Sequence, residues 1–267
     1  MAGPFLGTAL PALPLDASGL ESAISPLGVR ATEFWAVLSV ETSGCGFLPD
    51  RRPKILFERH VFHGLTQGRF DGDPSGISNA SPGGYGPGGA AQYDRLALAM
   101  QRDSSAALQS TSWGLGQVMG YHATKLGYAS VEAMVDKMLS SEAEQLRAMA
   151  SFISVNGLAG PLRMHDWPSF AQSYNGANYR INNYDTRLSS AYAAIERGGP
   201  PDLTVRAGQM ILSYLGHDPN GVDGAMGRMT RSAMNDFQRQ SRLPITDFFD
   251  DATMQALRAA LAKLASS

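Results

Sequence analysis

Glu41 is the carboxyl group whose sequence surroundings best suit acid–base chemistry. It lies in a predicted helix from Thr32 to Thr42, and spacings of three and four residues place it on an apolar face. The other members of that face are Phe34, Val37 and Leu38. Apolar surroundings raise the pKa of a carboxyl group, and the carbonyls of a last helical turn act in the same direction. Glu41 could therefore stay protonated and donate to a glycosidic oxygen; the alternative is a solvated residue at a helix end.

A second carboxylate would be needed for hydrolysis with inversion, about 6.5–9.5 Å from the acid so that a water fits between them. Glu58 is the first candidate, because an acid in the apolar-flanked, strand-like segment Leu56-Phe57-Glu58-Arg59-His60 needs a reason to be there. An ion pair of Glu58 with Arg59 or a histidine explains the residue equally well. Without a base, the substrate's own N-acetyl group could assist and leave an anhydro sugar. The carboxylates that rank behind Glu58 are Asp50, Asp71 and Asp73.

Other chemistries find less support in the sequence. Cys45 with His60 or His63 could form a thiol peptidase site, but no signature of that class surrounds the single cysteine. The spacing His60-x-x-His63 differs from the zinc-protease motif, and the five histidines form no second cluster. We therefore expect neither a metal nor a cofactor.

Three further helices are predicted in the first two hundred residues. They run from a capping box at Ser141–Glu144 to Val155, from a cap at Asp166 to Tyr174, and from Asn183 to Gly198. Gly44 is expected to end the helix of Glu41, since a left-handed conformation is favoured there. Between Gly64 and Gly89 the run GISNASPGGYGPGG excludes a helix and long strands. A disordered insertion and a flap over the substrate are both open for it.

The segment Glu196–Leu203, ERGGPPDL, is the clearest domain boundary. Three short helices are predicted after it, from Leu203 to Leu215, Arg228 to Gln240 and Asp250 to Leu264. The pattern Gly227-x-x-Thr230-x-x-Ala233-Met234 is echoed by Asp250-x-x-Thr253-x-x-Ala256-Leu257, which indicates a small three-helix unit.

The bulk composition excludes several classes of protein. With 43% hydrophobic and 17% charged residues, the 267-residue chain is globular, and its net charge of −2 does not favour nucleic acid as a partner. One cysteine excludes an intramolecular disulfide. The apolar N-terminus lacks a basic region and contains three prolines, and no window provides the ~18 apolar residues that span a bilayer. Neither a secretion signal nor membrane insertion is expected.

Three blocks of the sequence resemble the phage-type N-acetylmuramidase family of modular endolysins. They are Val40-Glu41-Thr42-Ser43-Gly44-Cys45-Gly46-Phe47 with Pro53-Lys54-Ile55-Leu56-Phe57-Glu58-Arg59-His60; Ser112-Trp113-Gly114-Leu115-Gly116-Gln117-Val118-Met119-Gly120; and Asp166-Trp167, Phe170-Ala171, Tyr174-Asn175-Gly176 and Tyr179. Their shared order over roughly residues 27–197 is more specific than any single motif. The Glu-x-Ser, Gly-Leu-x-Gln and Tyr-Asn elements are more distantly similar to lytic transglycosylases and goose-type lysozymes. The resemblance implies a lysozyme-like fold with a helix-borne glutamate at the floor of a sugar cleft.

Carried over by position, the resemblance implies that Glu41 is the catalytic acid, with Gln117, Tyr174 and Asn175 lining the cleft near the scissile bond. The two amides can donate to and accept from sugar substituents, and a tyrosine offers a flat face with a polar tip. Glu58 is counted with these substrate-binding residues. Thr42 stands where these families often have serine, and it keeps the hydroxyl group.

Residues 205–257 resemble the three-helix peptidoglycan-binding domain. The matching residues are Asp223-Gly224, Gly227, Thr230, Ala233, Phe237-Gln238 and the Asp250-x-x-Thr253 repeat. Most of these residues serve turns, caps and packing, so we expect the ligand in an exposed groove near the Asp223 turn. Such a module raises the local enzyme concentration on an insoluble substrate.

The sequence thus predicts a mainly α protein, with an α+β lysozyme-like catalytic domain and a small three-helix module. The expected divisions are an N-terminal extension (1–26), a muramidase domain (27–197), a linker (198–202) and a peptidoglycan-binding domain (203–267). The expected function is that of a monomeric phage endolysin, made in the host cytoplasm and released through a membrane lesion. It would hydrolyse the β-1,4 bond between N-acetylmuramic acid and N-acetylglucosamine in bacterial peptidoglycan. The alternatives are a lytic transglycosylase and a non-catalytic wall-binding protein.

Overall fold

The computed structural model describes residues 10–41, 45–176 and 179–264. Two expectations, the helix end at Gly44 and the hydroxyl of Thr42, lie outside the described residues. Within the described residues, no helix is long and apolar enough to cross a membrane. The structure is mainly helical with one small sheet, in agreement with the predicted fold class.

The first two helices are α1 (Ala17–Ile24) and α2 (Ala31–Glu41). The α1 helix begins at Asp16, whose side chain accepts a hydrogen bond from the amide of Gly19. Its apolar side joins the main core, so this part of the N-terminal extension packs with the catalytic region. The prediction of one apolar face on α2 was too narrow, because every residue from Glu33 to Leu38 is buried. The helix is covered on several sides by other helices, which a single periodic face does not reveal.

A three-stranded antiparallel sheet lies in the order β1 (Ile55–Phe57), β2 (Thr111–Trp113) and β3 (Val118–Met119). In its register Leu56 faces Ser112 across β1 and β2, and Ser112 faces Met119 across β2 and β3. The expectation that Glu58 lies within a strand was wrong. The strand ends at Phe57, and Glu58 is the N-cap residue of the next helix, where its amide donates to the carbonyl of Ser110.

Three short helices frame this sheet: α3 (Arg59–Thr66), α4 (Ala91–Met100) and α5 (Ser104–Gln109). The glycine-rich segment between α3 and α4 holds neither helix nor strand, as predicted. Ile77 in its middle is completely buried, and Asp71 contacts His63 at 2.8 Å. At its far end, Gln92 donates to the carbonyls of Tyr85 and Pro87, both at 2.8 Å. These contacts favour a folded loop over a disordered insertion.

Five helices complete this region: α6 (Val131–Ser140), α7 (Glu142–Val155), α8 (Ala159–Arg163), α9 (Trp167–Asn175) and α10 (Tyr184–Gly198). The predicted caps at Ser141 and Asp166 are confirmed, since each side chain accepts an amide hydrogen bond three residues ahead. Short 3-10 turns lie at Ser25–Leu27, Gly120–His122 and Tyr179–Asn182.

The C-terminal region contains α11 (Leu203–Tyr214), α12 (Arg228–Gln240) and α13 (Asp251–Leu264). The repeat predicted from the sequence has a physical counterpart in two buried glutamines. Gln209 donates to the hydroxyl of Thr230 at 3.0 Å, and Gln238 donates to the hydroxyl of Thr253 at 2.8 Å. Asp223 accepts from Gln209 at 2.8 Å and from the amide of Ala225 at 2.9 Å, so its side chain organises the turn.

The C-terminal helices have their own apolar core, and a third cluster joins them to the rest of the protein. That cluster contains Ala12, Cys45, Phe47 and Met210, with Tyr214 packed against it. The hydroxyl of Tyr214 donates to the carbonyl of Ala12 at 3.1 Å. A direct, buried contact therefore connects α11 to the region that carries Glu41.

Candidate active site

Glu41 and Asn175 meet where two helices end. Glu41 is the last residue of α2 and Asn175 the last of α9, and Nδ2 of Asn175 donates to Oε1 of Glu41 at 3.1 Å. Both residues are partly buried. The remaining acceptor of Asn175, Oδ1, is buried and receives no hydrogen bond from any described residue. A buried acceptor without a donor is costly in free energy, so this atom is suited to accept from a bound ligand.

Burial raises the pKa of Glu41, which is the direction expected from the sequence. The hydrogen bond from Asn175 and the positive charge of Arg187 oppose this effect by favouring the carboxylate. Arg187 belongs to α10, and its Nη2 donates to the carbonyl of Val40 at 3.0 Å, next to Glu41. The acid strength of Glu41 therefore depends on α9 and α10 as well as on its own helix.

A cleft of about 420 Å³ is lined by Asn175, whereas Glu41 is not a lining residue and contacts the cleft wall through Asn175. Its walls come from the β2–β3 turn, the 3-10 turn after β3, α7 and the end of α9. The residues that line it are Gly116, Gln117, Val118, Met119, Tyr121, His122, Phe152, Asn156, Ser173, Tyr174, Asn175 and Gly176. Polar and aromatic groups on a concave surface of this volume suit a sugar.

Tyr174 fixes α9 against the β2–β3 turn. Its hydroxyl donates to the carbonyl of Gly116 at 3.0 Å, and its ring meets the edge of Phe152 with centroids 5.3 Å apart. Burial raises the pKa of Tyr174 well above its usual value, and the charge of Glu41 adds to the effect. Tyr174 therefore stays a neutral hydroxyl group beside the carboxyl.

Gln117 lines the cleft, but its amide is engaged within the protein. Nε2 donates to the carbonyls of Gly114 at 2.8 Å and Lys54 at 3.2 Å, and Oε1 accepts from Ser112 at 2.9 Å. The backbone of Gln117 has a positive φ of 46°, as a tight turn requires. In this arrangement the side chain holds the β2–β3 turn in shape.

Glu58 is not among the residues that line the cleft. Its Oε2 is 3.1 Å from Nδ1 of His60, in contact but not aligned for a hydrogen bond. Burial raises the pKa of Glu58, while His60 and a hydrogen bond with Tyr85 lower it. Burial also raises the pKa of Tyr121, and the charge of Glu58 contributes. Glu58 therefore lies close to a cleft residue, and the glycine-rich loop supplies its partner Tyr85.

The lower-ranked carboxylates are held in ion pairs. Asp50 pairs with Arg52 at 2.6 Å, Asp71 with His63 at 2.8 Å, and Asp73 with Arg102 at 2.9 Å. Cys45 is buried, and burial together with the charge of Glu142 raises its pKa to about 11. Because a thiolate is the nucleophilic form, this thiol is unsuited to peptidase chemistry at neutral pH.

Five lining residues of the cleft were not singled out from the sequence as site residues: Tyr121, His122, Phe152, Asn156 and Ser173. Tyr121 and His122 directly follow the Gly-Leu-Gly-Gln block, which was a signal of their location. Phe152 and Asn156 belong to the end of α7, and only the packing of α7 beside the sheet brings them to the cleft. Burial lowers the pKa of His122, so its neutral form is favoured.

The helical region that carries Glu41 and the cleft, and the three-helix module after it, each match a known protein family. The N-acetylmuramidase family model matches residues 30–196, and the chain belongs to this family. A peptidoglycan-binding domain model matches residues 202–257. These matches identify a peptidoglycan-cleaving hydrolase with a wall-binding module.

One similar solved structure is that of the Burkholderia AP3 phage endolysin. It has 41% sequence identity and a TM-score of 0.63, and the match covers 69% of this chain and 72% of that chain. A comparison with curated proteins found no match.

Proposed function

We propose that this chain is an endolysin that hydrolyses the β-1,4 bond between N-acetylmuramic acid and N-acetylglucosamine, with Glu41 as general acid. The observation that carries the proposal is the half-buried Glu41 carboxyl, bound by Asn175 beside a cleft of sugar-binding size. A carboxyl whose pKa is raised by burial keeps its proton to a higher pH and can donate it to the leaving oxygen.

Glu58 is the proposed second carboxylate. In this scheme the proton of Glu41 moves to the glycosidic oxygen as the bond from the muramic acid C1 to that oxygen breaks. A water attacks C1 and gives its proton to Glu58. Support comes from the partial burial of Glu58 and from its influence on Tyr121 at the cleft.

The substrate contacts are assigned to the groups that remain available. Oδ1 of Asn175 has the chemistry to accept from an N-acetyl N–H, and Tyr174 and Phe152 offer ring surface along the cleft. Gln117 contributes mainly through the β2–β3 turn that it holds. The proposed domain division keeps residues 198–202 as the linker, with wall binding by the C-terminal module. The enzyme would be made in the host cytoplasm and reach the wall through a membrane lesion.

Clearance of a suspension of purified cell walls tests the role of Glu41. Glu41→Gln keeps the size of the side chain but removes the transferable proton, so we expect a loss of about 10²–10⁴-fold. Glu132→Gln is the matched control, because Glu132 is exposed on α6. Equal clearance by Glu41→Gln and the parent would contradict the proposal. If the chain is a wall-binding protein without enzymatic activity, neither the parent nor the variant would clear the suspension.

Mass spectrometry of the digested wall tests the reaction type. Hydrolysis leaves free reducing ends that take up ¹⁸O from labelled water, whereas a transglycosylase leaves 1,6-anhydro ends without label. We expect labelled reducing ends. Anhydro ends would retain Glu41 as the acid and reject hydrolysis.

A further inference from the structure

A buried pair of charged residues connects the C-terminal module to the catalytic region. Arg206 of α11 and Glu142 of α7 are both completely buried, and Nη2 of Arg206 lies 2.6 Å from Oε1 of Glu142. Nη1 of Arg206 pairs with the other oxygen of Glu142, which makes the contact bidentate. The guanidinium also lies over the ring of Trp35 on α2, 5.4 Å from its centroid. A residue of the wall-binding module is therefore embedded in the catalytic domain.

Glu142 also accepts hydrogen bonds from two backbone amides of the catalytic region. Its Oε1 accepts from the amide of Gly46 at 2.9 Å, and its Oε2 accepts from the amide of Leu15 at 3.0 Å. Gly46 is five residues after Glu41. A Cβ atom at Gly46 would lie 1.9 Å from Oε1 of Gln145, so the backbone there lies directly against α7. Glu142 therefore holds the backbone at Gly46, and the charge of Glu142 is balanced by Arg206.

The α7 helix also contacts the β2–β3 turn, which forms one wall of the cleft. Gln145, one turn after Glu142, accepts from the amide of Leu115 at 2.9 Å in the β2–β3 turn. The carbonyl of Gly116, the next residue in that turn, accepts a hydrogen bond from the hydroxyl of Tyr174. Two side chains of α7 thus make separate contacts, Glu142 with Arg206 of the module and with Gly46, and Gln145 with the turn that lines the cleft.

Apolar packing from α11 supports the same segment. Met210 and Tyr214 pack with Cys45 and Phe47, on either side of Gly46 in sequence. Cys45 is the single cysteine of the chain and is 5% exposed. A flexibly tethered module would not need buried contacts at this position.

We propose that Arg206 is a positioning residue for catalysis, which holds residues 45–47 against the catalytic domain through Glu142 and Gly46. This inference rests on the proposed role of Glu41. The module then does more than bind the wall, because the catalytic domain is complete only when α11 is docked. Activity should depend on this docking even for a substrate that does not require wall binding.

The test uses full-length protein and soluble glycan strands from which the stem peptides have been removed. Arg206→Met removes the charge and keeps the length, and Arg206→Lys keeps the charge without the bidentate geometry. Arg239→Met is the matched control, since Arg239 pairs with Asp236 at 2.6 Å on the exposed surface of the same module. The measurements are kcat and KM from reducing ends, binding to purified walls, and the rate at which a thiol reagent labels Cys45.

For Arg206→Met we expect kcat to fall by about 10- to 100-fold with little change in KM, because a small displacement of a catalytic group has a large effect on rate. Wall binding should stay unchanged, since Arg206 is buried, and Cys45 should be labelled faster. The kcat and the Cys45 labelling rate of Arg206→Lys should lie between those of Arg206→Met and the parent. Arg239→Met should match the parent in both.

A folded Arg206→Met enzyme with the kcat of the parent would overturn the inference, as would a loss of wall binding alone. If Arg206→Met does not fold, parent-like kcat and labelling of Arg206→Lys would overturn it. Failure of the proposed function can be distinguished from failure of this inference. If Glu41→Gln cleaves the strands normally, the role of Glu41 is rejected, while kcat and Cys45 labelling in the Arg206 variants still report whether docking supports activity.

Discussion

Asn175 donates a hydrogen bond to Glu41 while its own Oδ1 is buried without a donor among the described residues. The hydrogen bond to Glu41 favours the charged carboxylate. The Oδ1 atom, which has no described donor, can accept a hydrogen bond from a ligand group. If a ligand N–H binds Oδ1, it contacts the same amide that contacts the acid. In the proposed mechanism, Asn175 would thereby connect substrate binding to the protonation of Glu41.

If Glu41 is the general acid, we expect Arg187 to influence the upper pH limit of activity. Its positive charge lowers the pKa of Glu41, so Arg187→Met should raise that pKa further. Because the acid must be protonated, the alkaline limb of the kcat/KM profile should move to higher pH. The measurement is this profile on soluble wall fragments, with Arg197→Met as the control on an exposed position of α10. A limb that moves to lower pH, or does not move, would show that Arg187 does not act on the acid.

Glu41→Gln should make the protein more stable at neutral pH. The folded-state pKa of Glu41 is raised, so its protonated form is favoured on folding and the benefit is lost as pH rises through that pKa. Glutamine carries no such charge. The melting temperature of Glu41→Gln should therefore exceed that of the parent at pH 7 and converge with it below the unfolded pKa, near pH 4. A difference that is constant with pH would indicate that ionisation of Glu41 does not affect stability.

Glu58→Gln tests the second carboxylate. If Glu58 is the base, the variant should lose about 10²–10⁴-fold of the hydrolytic rate, because a glutamine cannot accept the proton of water. Asp50→Asn is the matched control, since the Asp50 carboxylate is engaged by Arg52 at the surface. The rate of ¹⁸O incorporation into products is the measurement. Parent-like incorporation would leave Glu58 as a partner of His60 and Tyr85 only.

Local signals in the sequence predicted several helices well, although the helices α1, α3, α4, α5, α6 and α8 were not identified. Ser141 and Asp166 were identified as caps because a short side-chain acceptor followed by a helix-forming run is a local pattern, and both accept the expected hydrogen bonds. The helix from Arg228 to Gln240 was predicted with the observed ends. Short-range chemistry determines these features, so one sequence is sufficient to find them.

Long-range pairings were not predictable in the same way. Glu142 was identified only as a member of a capping box, because no periodicity indicates that an arginine 64 residues away neutralises it. The pairing of Glu58 was left open between Arg59 and a histidine, and His60 is its partner in the structure. Such contacts depend on how helices pack, and the same holds for Phe152 and Asn156 at the cleft.

Gln117 provides the last prediction, because two roles for it give different results. A residue that only contacts substrate would alter KM when replaced and leave stability unchanged. The structure instead engages both amide atoms within the β2–β3 turn. Gln117→Glu would place a carboxylate against the carbonyl oxygens of Gly114 and Lys54. We expect the free energy of unfolding to fall by about 1–3 kcal/mol, the usual cost of an unsatisfied buried group.

Chemical denaturation should therefore show a clear decrease in the free energy of unfolding for Gln117→Glu. The control variant Gln109→Glu should show little change. Gln109 donates to Ser105 on the exposed side of α5, so the control exchanges the same atoms where water can replace the lost bond. Activity should fall with stability in Gln117→Glu, since the turn also carries Gly116, the acceptor of Tyr174. Unchanged stability with a raised KM would instead assign Gln117 to direct contact with the sugar.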